Sequence, residues 1–99
     1  MITIRQDFKY QGENWWKWWA WIDGSSTELD KIELVTWMLH PTFHVPVRES
    51  LDRESKFKIE TEGWGIFTLK AKIKLKDGSF KRLEHELVLE YPDGTQNLA

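Results

Sequence analysis

The chain has 99 residues, of which 40% are hydrophobic and 30% are charged, and its formal charge is −2 at pH 7. This composition fits one globular domain over residues 1–99 and argues against a disordered chain, and the lack of a basic excess argues against direct nucleic-acid binding. Cysteine is absent, which excludes disulfides, thiol catalysis and cysteine-ligated metals. No apolar run approaches the ~20 residues of a membrane-spanning helix and the N-terminus carries no secretion signal, so we expect a cytoplasmic chain without membrane insertion.

Polar and apolar residues alternate along most of the chain, a pattern typical of β-strands. We expect strands over residues 1–10, 15–23, 31–39, 57–61, 65–76 and 83–89, with turns at 24–26 and 77–78. Residues 40–54 contain Pro41 and Pro46 and are predicted to be an irregular connection. Short strands at this spacing in a chain of this length favour an all-β, immunoglobulin-like antiparallel sandwich.

The hairpin that turns at residues 77–78 has a register that the alternation constrains. A two-residue loop would place Ile73 opposite Arg82 and would mix the apolar and polar faces of the sheet. A three-residue loop places Ile73 opposite Leu83, and Lys72 opposite Glu84. We therefore predict a three-residue loop or a bulge and exclude the two-residue turn.

Five of the seven tryptophans lie within residues 15–21. Strand alternation puts Trp16 and Trp18 on one face and Trp15, Trp19 and Trp21 on the other, so one set is expected in the core. The other set is either covered by a neighbouring segment or exposed as a contact patch. Exposed tryptophans also stack on sugar rings, which makes a carbohydrate-binding module one alternative function.

The sequence offers little support for catalysis. His40 and His44 have the spacing of a helical zinc site, but Pro41 and Pro46 exclude a helix there. No nucleophile elbow and no glycine-rich phosphate loop is present. We therefore expect a protein that is not an enzyme, with no catalytic residue, no metal site and no cofactor.

Two segments carry the most specific pattern. Residues 39–48 read Leu-His-Pro-Thr-Phe-His-Val-Pro-Val-Arg, and residues 62–67 read Glu-Gly-Trp-Gly-Ile-Phe. Each segment alone is compatible with a purely structural turn. Together they resemble the two motifs of the YEATS domain, a family of immunoglobulin-fold readers of acylated lysine. The matching residues are Leu39, His40, Thr42, Phe43, Pro46, Arg48, Gly63, Trp64 and Phe67. The short chain and the tryptophan-rich second strand are most like the prokaryotic branch of the family.

The resemblance implies a binding slot between the two segments. Phe43 and Trp64 would face each other and hold a flat acyl-amide between their rings. The Thr42 hydroxyl, oriented by His40, would meet the amide N–H, and the backbone N–H of Trp64 would donate to the acyl carbonyl. Trp15 or Trp16 would supply a third aromatic wall. The implied ligand-binding residues are His40, Thr42, Phe43, Gly63, Trp64 and Gly65, the glycines allowing a close backbone approach.

The expected function is a binding module for acylated lysine in a peptide or protein, or for a similar planar acyl-amide. A lysine ammonium would lose water in such a slot without a carboxylate to replace it, although aromatic faces also attract methylated lysine. The acidic residues near the two motifs, Glu49 and Glu62, lie at their margins, which favours the acyl-amide. An interaction domain with a closed slot is the other alternative, and further domains of a larger signalling protein are expected partners.

Overall fold

The chain forms two antiparallel β-sheets that pack face to face, and the computed structural model describes residues 1–97. The elements are β1 (Thr3–Gly12), β2 (Trp15–Asp23), α1 (Ser26–Asp30), β3 (Ile32–Met38), β4 (Val47–Ser50), β5 (Ile59–Gly63), β6 (Thr68–Leu75) and β7 (Phe80–Glu86). One sheet has the strand order β1-β2-β5 and the other has the order β4-β3-β6-β7. The predicted all-β, immunoglobulin-like sandwich is confirmed.

The core explains how the tryptophan-rich strand β2 is accommodated. Trp16 and Trp18 are completely buried between the sheets together with Trp37 of β3, so the prediction that one set of tryptophans fills the core is confirmed. Trp19 and Trp21 lie half-buried on the outer face of β2. The ammonium group of Lys58 lies 5.8 Å from the centre of the Trp19 ring, where it competes with any sugar for that aromatic surface.

Helix α1 was missed by the sequence prediction, which places a turn at residues 24–26. The Ser25 hydroxyl accepts from the Glu28 N–H at 3.1 Å, and the Glu28 carboxylate accepts from the Ser25 N–H at 2.9 Å. This capping box satisfies two N–H groups at the start of a helix of only five residues. Within residues 1–97, no helix is long and apolar enough to cross a membrane.

Strand β4 is a second correction, because residues 40–54 were predicted to be irregular. Val47–Ser50 pairs with β3 at the edge of its sheet. Pro46 lies just before this strand and supplies only its carbonyl, which accepts from the Leu39 N–H at 2.7 Å. Because a proline at a strand start needs no N–H for the ladder, it does not prevent the pairing.

The strand predicted at residues 57–61 begins two residues later, at Ile59. Lys56 and Phe57 adopt left-handed backbone angles with φ of 60° and 58°, which are incompatible with an extended strand. The Phe57 ring is nevertheless buried, with 1% of its surface exposed. Tertiary packing of this ring therefore overrides the local strand pattern.

The hairpin between β6 and β7 has the predicted three-residue loop but a different register. Leu75 pairs with Ser79 through an N–H···O bond of 2.8 Å, so the loop is residues 76–78. Gly78 occupies the left-handed position with φ of 90°, which fixes the loop one residue earlier than predicted. Ile73 consequently lies opposite Lys81, and the predicted pairings of Ile73 with Leu83 and of Lys72 with Glu84 are wrong. The partner of each β6 residue is shifted by two residues along β7. Because this number is even, the same side chains of β7 point inward as predicted.

A side-chain network closes the sandwich where β1 approaches the end of β7. The Gln6 amide donates to the Val88 carbonyl at 2.9 Å and accepts from the Val88 N–H at 2.6 Å. Since its oxygen is an acceptor, Nε2 of His85, 2.8 Å away, is the donor. Burial lowers the pKa of His85, and this effect outweighs the neighbouring Glu86 carboxylate, which raises it.

We expect the free energy of unfolding to decrease as the pH falls from about 7 to about 5. The reason is that the unfolded chain takes up a proton at His85 more readily than the folded chain does. A His85→Gln variant retains an N–H donor toward Gln6 but cannot titrate, so this part of the pH dependence should disappear. Urea unfolding at the two pH values measures the effect. An identical pH dependence in the wild type and in the variant would contradict the assignment.

Candidate functional site

Two loops meet at one end of the sandwich and enclose a cavity of about 470 Å³. The first loop, residues 39–46, connects β3 to β4, and the second loop, residues 64–67, connects β5 to β6. All six residues of the predicted binding set line this cavity: His40, Thr42, Phe43, Gly63, Trp64 and Gly65. The structure therefore brings together two segments that are distant in sequence.

The first loop owes its shape to a tight turn at residues 40–43. The Phe43 N–H donates to the His40 carbonyl at 3.0 Å, which closes a four-residue turn with Pro41 in its second position. Proline has its φ fixed near the value that this position requires. The turn places Thr42 and Phe43 at the cavity wall.

The contacts of the Thr42 hydroxyl show in which direction it donates its hydrogen bond. Nδ1 of His40 lies 3.3 Å from the Thr42 backbone nitrogen and 2.9 Å from the Thr42 hydroxyl oxygen. Because a backbone N–H can only donate, Nδ1 is an acceptor, and the hydroxyl hydrogen is then directed at the imidazole. The hydroxyl oxygen keeps its lone pairs for an N–H donor in the cavity.

The Phe43 ring is held against the core on one side and lies next to Gly63 on the other. Its centroid is 5.5 Å from that of Phe67 and 6.4 Å from that of Trp18, both in edge-on contacts. A Cβ atom built on Gly63 would lie 3.6 Å from the tip of the Phe43 ring. A side chain at this position would therefore contact the tip of the Phe43 ring.

Trp64 presents its side chain to solvent, with 61% of its surface exposed. Among the described residues, its ring makes no contact with the ring of Phe43. Its backbone is anchored, since the Trp64 carbonyl accepts from the side-chain amide of Asn97 at 2.5 Å. The two rings thus stand on separate supports and both line the cavity, and among the described residues no stacking of Trp64 on Phe43 is observed.

The matches to known proteins fit this architecture. The family model of the prokaryotic YEATS domain matches residues 16–88. The chain belongs to this family. This chain is also 37% identical over 65 residues to transcription initiation factor TFIID subunit 14 of Schizosaccharomyces pombe. That match covers 65% of this chain and 26% of the relative, so the chain spans about a quarter of the relative's length.

Solved YEATS structures have the same fold. The Yaf9 YEATS domain recognizing an H3K122suc peptide superimposes with a TM-score of 0.71 at 21% identity, over 94% of this chain and 77% of that one. The Yaf9 YEATS domain bound to H3K27ac gives a TM-score of 0.67 at 20% identity, over 97% and 73% of the two chains. The predicted family and fold are confirmed together.

Several residues that line the cavity of this YEATS domain were not in the predicted set. They are Trp15, His44, Arg48, Thr61, Glu62, Ile66 and Phe67. Of the two candidates for a third aromatic wall, Trp15 lies at the cavity, whereas Trp16 is buried and donates its indole N–H to the Glu90 carbonyl at 2.8 Å. Strand alternation already separates these two rings, but only the position of the second loop shows which one faces the cavity.

Among the residues that the structure describes, the charged groups at the cavity are one cation and one carboxylate, Arg48 and Glu62, next to the two histidines of the first loop. Glu49, the other acidic residue at the motif margins, does not line the cavity. Across residues 1–97, no three His, Cys, Asp or Glu side chains are grouped so that they could hold a metal ion. The cavity therefore offers aromatic faces and hydrogen-bonding groups of both polarities.

Proposed function

We propose that this YEATS domain is a non-enzymatic reader that binds the acyl-amide of an acylated lysine in a partner protein. The observation that carries the proposal is the pair of separated rings, Phe43 and Trp64, on two loops that share one open cavity. The two Yaf9 structures, one with an H3K27ac ligand and one recognizing an H3K122suc peptide, support it by fold.

The hydrogen-bonding groups match a secondary amide. An acylated lysine has one N–H donor and one carbonyl acceptor, both in the plane of a thin neutral group. The Thr42 hydroxyl oxygen, with its hydrogen directed at His40, would accept from the amide N–H. The backbone N–H of Trp64 would donate to the acyl carbonyl. Stacking on two rings tolerates the modest polarity of the amide plane.

The same groups are poorly suited to other forms of lysine. An unmodified ammonium has three N–H groups to desolvate and would meet a guanidinium, that of Arg48, at the cavity wall. Trimethyl-lysine has no N–H for Thr42, although its charge is attracted to the rings and to Glu62. Removing the neutral amide from water costs less free energy than removing either cation, and its N–H satisfies the Thr42 acceptor. We therefore expect the acylated lysine to bind most tightly.

Calorimetric titration with four peptides that differ only in one side chain tests the proposal. The side chains are acetyl-lysine, crotonyl-lysine, trimethyl-lysine and lysine. We expect dissociation constants on the order of 10–500 μM for the acylated peptides, which is the range for a small ligand group, and at least about tenfold weaker binding of both cations. Equal affinity for all four peptides, or no binding of any, would refute the proposal.

A further inference from the structure

Arg48 bridges the two sides of the cavity. It lies on the edge strand β4, opposite Trp37 of β3. Its Nε donates to the Val45 carbonyl at 3.0 Å, and its Nη1 donates to the Glu60 carbonyl at 3.5 Å. Its guanidinium carbon lies 5.9 Å from the centre of the Phe43 ring. One planar group therefore contacts three points at the open edge of the sandwich.

These three points belong to the two chain segments that lead to opposite parts of the cavity lining, and Phe43 itself lines the cavity. Val45 and Phe43 are parts of the first loop, so a guanidinium bonded to one and placed over the other limits the movement of that loop. Glu60 lies on β5, the strand that leads directly into Gly63 and the second loop. Within the described residues, β4 and β5 are at the edges of different sheets, so no backbone ladder joins these walls.

We propose that Arg48 is a positioning residue that sets the distance between the Phe43 wall and the second loop, and so the thickness of the acyl group that the slot accepts. This inference rests on the proposed function and adds a determinant of acyl selectivity to it. Arginine suits the role because its rigid fork donates in several directions at once while its flat face lies on a ring. Lysine has neither property.

The selectivity test compares a flat with a thicker acyl group of equal carbon count. Crotonyl-lysine is planar, whereas isobutyryl-lysine is branched and thicker at the carbon next to the carbonyl. We expect the wild type to prefer the crotonyl peptide, and Arg48→Ala to reduce the ratio of the two affinities at least threefold. Arg48→Lys should resemble Arg48→Ala. A uniform loss of both affinities with an unchanged ratio, or no change at all, would overturn the inference.

Arg53→Ala is the matched control. Arg53 also joins distant segments, with its Nε 3.0 Å from the Asp30 carboxylate and its guanidinium bonded to Ser26, but it does not line the cavity. Its loss removes an arginine with a comparable set of contacts, and the affinity ratio should stay at the wild-type value. A reduced ratio in this variant would show that general destabilisation, and not the position of Arg48, controls selectivity.

A measurement without ligand separates this inference from the proposed function. In protein with ¹³C-labelled phenylalanine, Arg48→Ala should shift the Phe43 ring resonances and Arg53→Ala should leave them in place. If the shift occurs but no acylated peptide binds the wild type, the proposed function fails while the bridging contact stands. If acylated peptides bind but the Phe43 resonances stay unchanged in Arg48→Ala, the inference fails while the proposed function stands.

Discussion

Trp64→Ala is expected to weaken binding of a crotonyl-lysine peptide by at least about 30-fold, the loss typical of an aromatic hot spot. The indole ring is one of the two surfaces between which the amide plane would lie, and alanine leaves that side of the amide in water. Because 61% of the Trp64 surface is exposed, the substitution should change the free energy of unfolding by less than about 1 kcal/mol. Calorimetric titration and urea unfolding of the same sample measure the two effects.

Trp19→Ala is the control for this substitution. Trp19 lies in the same chain on the outer face of β2, outside the cavity between the loops. Its loss should leave binding of the acylated peptide within about twofold of the wild-type value, a change of less than 0.5 kcal/mol or so. Wild-type affinity in Trp64→Ala would show that Trp64 is not part of the site, and a large loss confined to Trp19→Ala would place the site on the outer sheet face.

Trp37→Ala should have the largest effect on stability. Trp37 is completely buried near the end of β3, and its indole N–H donates to the Phe57 carbonyl at 2.9 Å. Truncation leaves a large cavity that costs about 3–5 kcal/mol, and the unpaired carbonyl adds to that loss. A domain of this size is stabilised by roughly 5–15 kcal/mol, so the variant should be close to unfolding at room temperature. Urea unfolding monitored by circular dichroism measures the loss.

A second substitution separates the hydrogen bond from the packing. Trp37→Phe retains most of the buried ring surface but loses the N–H, so it should destabilise by about 1–3 kcal/mol through the unpaired Phe57 carbonyl and the smaller ring. The hydrogen bond also holds a residue whose φ is 58°, an uncommon value for a bulky side chain. A loss below about 2 kcal/mol in Trp37→Ala would show that β3 is not the centre of the core.

The strand alternation predicts most of the fold because one face of each long strand is buried. Five residues from Thr68 to Lys72 illustrate this, since buried and solvent-facing side chains alternate there as the sequence pattern requires. The pattern fails where tertiary contacts decide the backbone. Phe57 is buried although its backbone is in the left-handed region, and residues 47–50 form a strand because they pair with the edge of β3.

The predicted binding set comes from motif resemblance, and the fold explains why its two halves lie at one cavity. The β3–β4 hairpin and the β5–β6 crossover place Phe43 and Trp64 at one cavity, although 20 residues separate them in sequence. Sequence patterns alone gave no role to Arg48, because its contacts join two strands in different sheets. Trp15 was assigned only as one of two candidates, because the sequence does not give the position of the second loop relative to β2.

The most direct measurement of the central claim is an isotope-filtered nuclear Overhauser spectrum of the protein with bound crotonyl-lysine peptide. If the acyl group lies between the two rings, its methyl and vinyl protons should show cross-peaks to ring protons of both Phe43 and Trp64 and should shift upfield. Cross-peaks from the acyl protons to Trp19 or Trp21, with none to Phe43 and Trp64, would contradict the account.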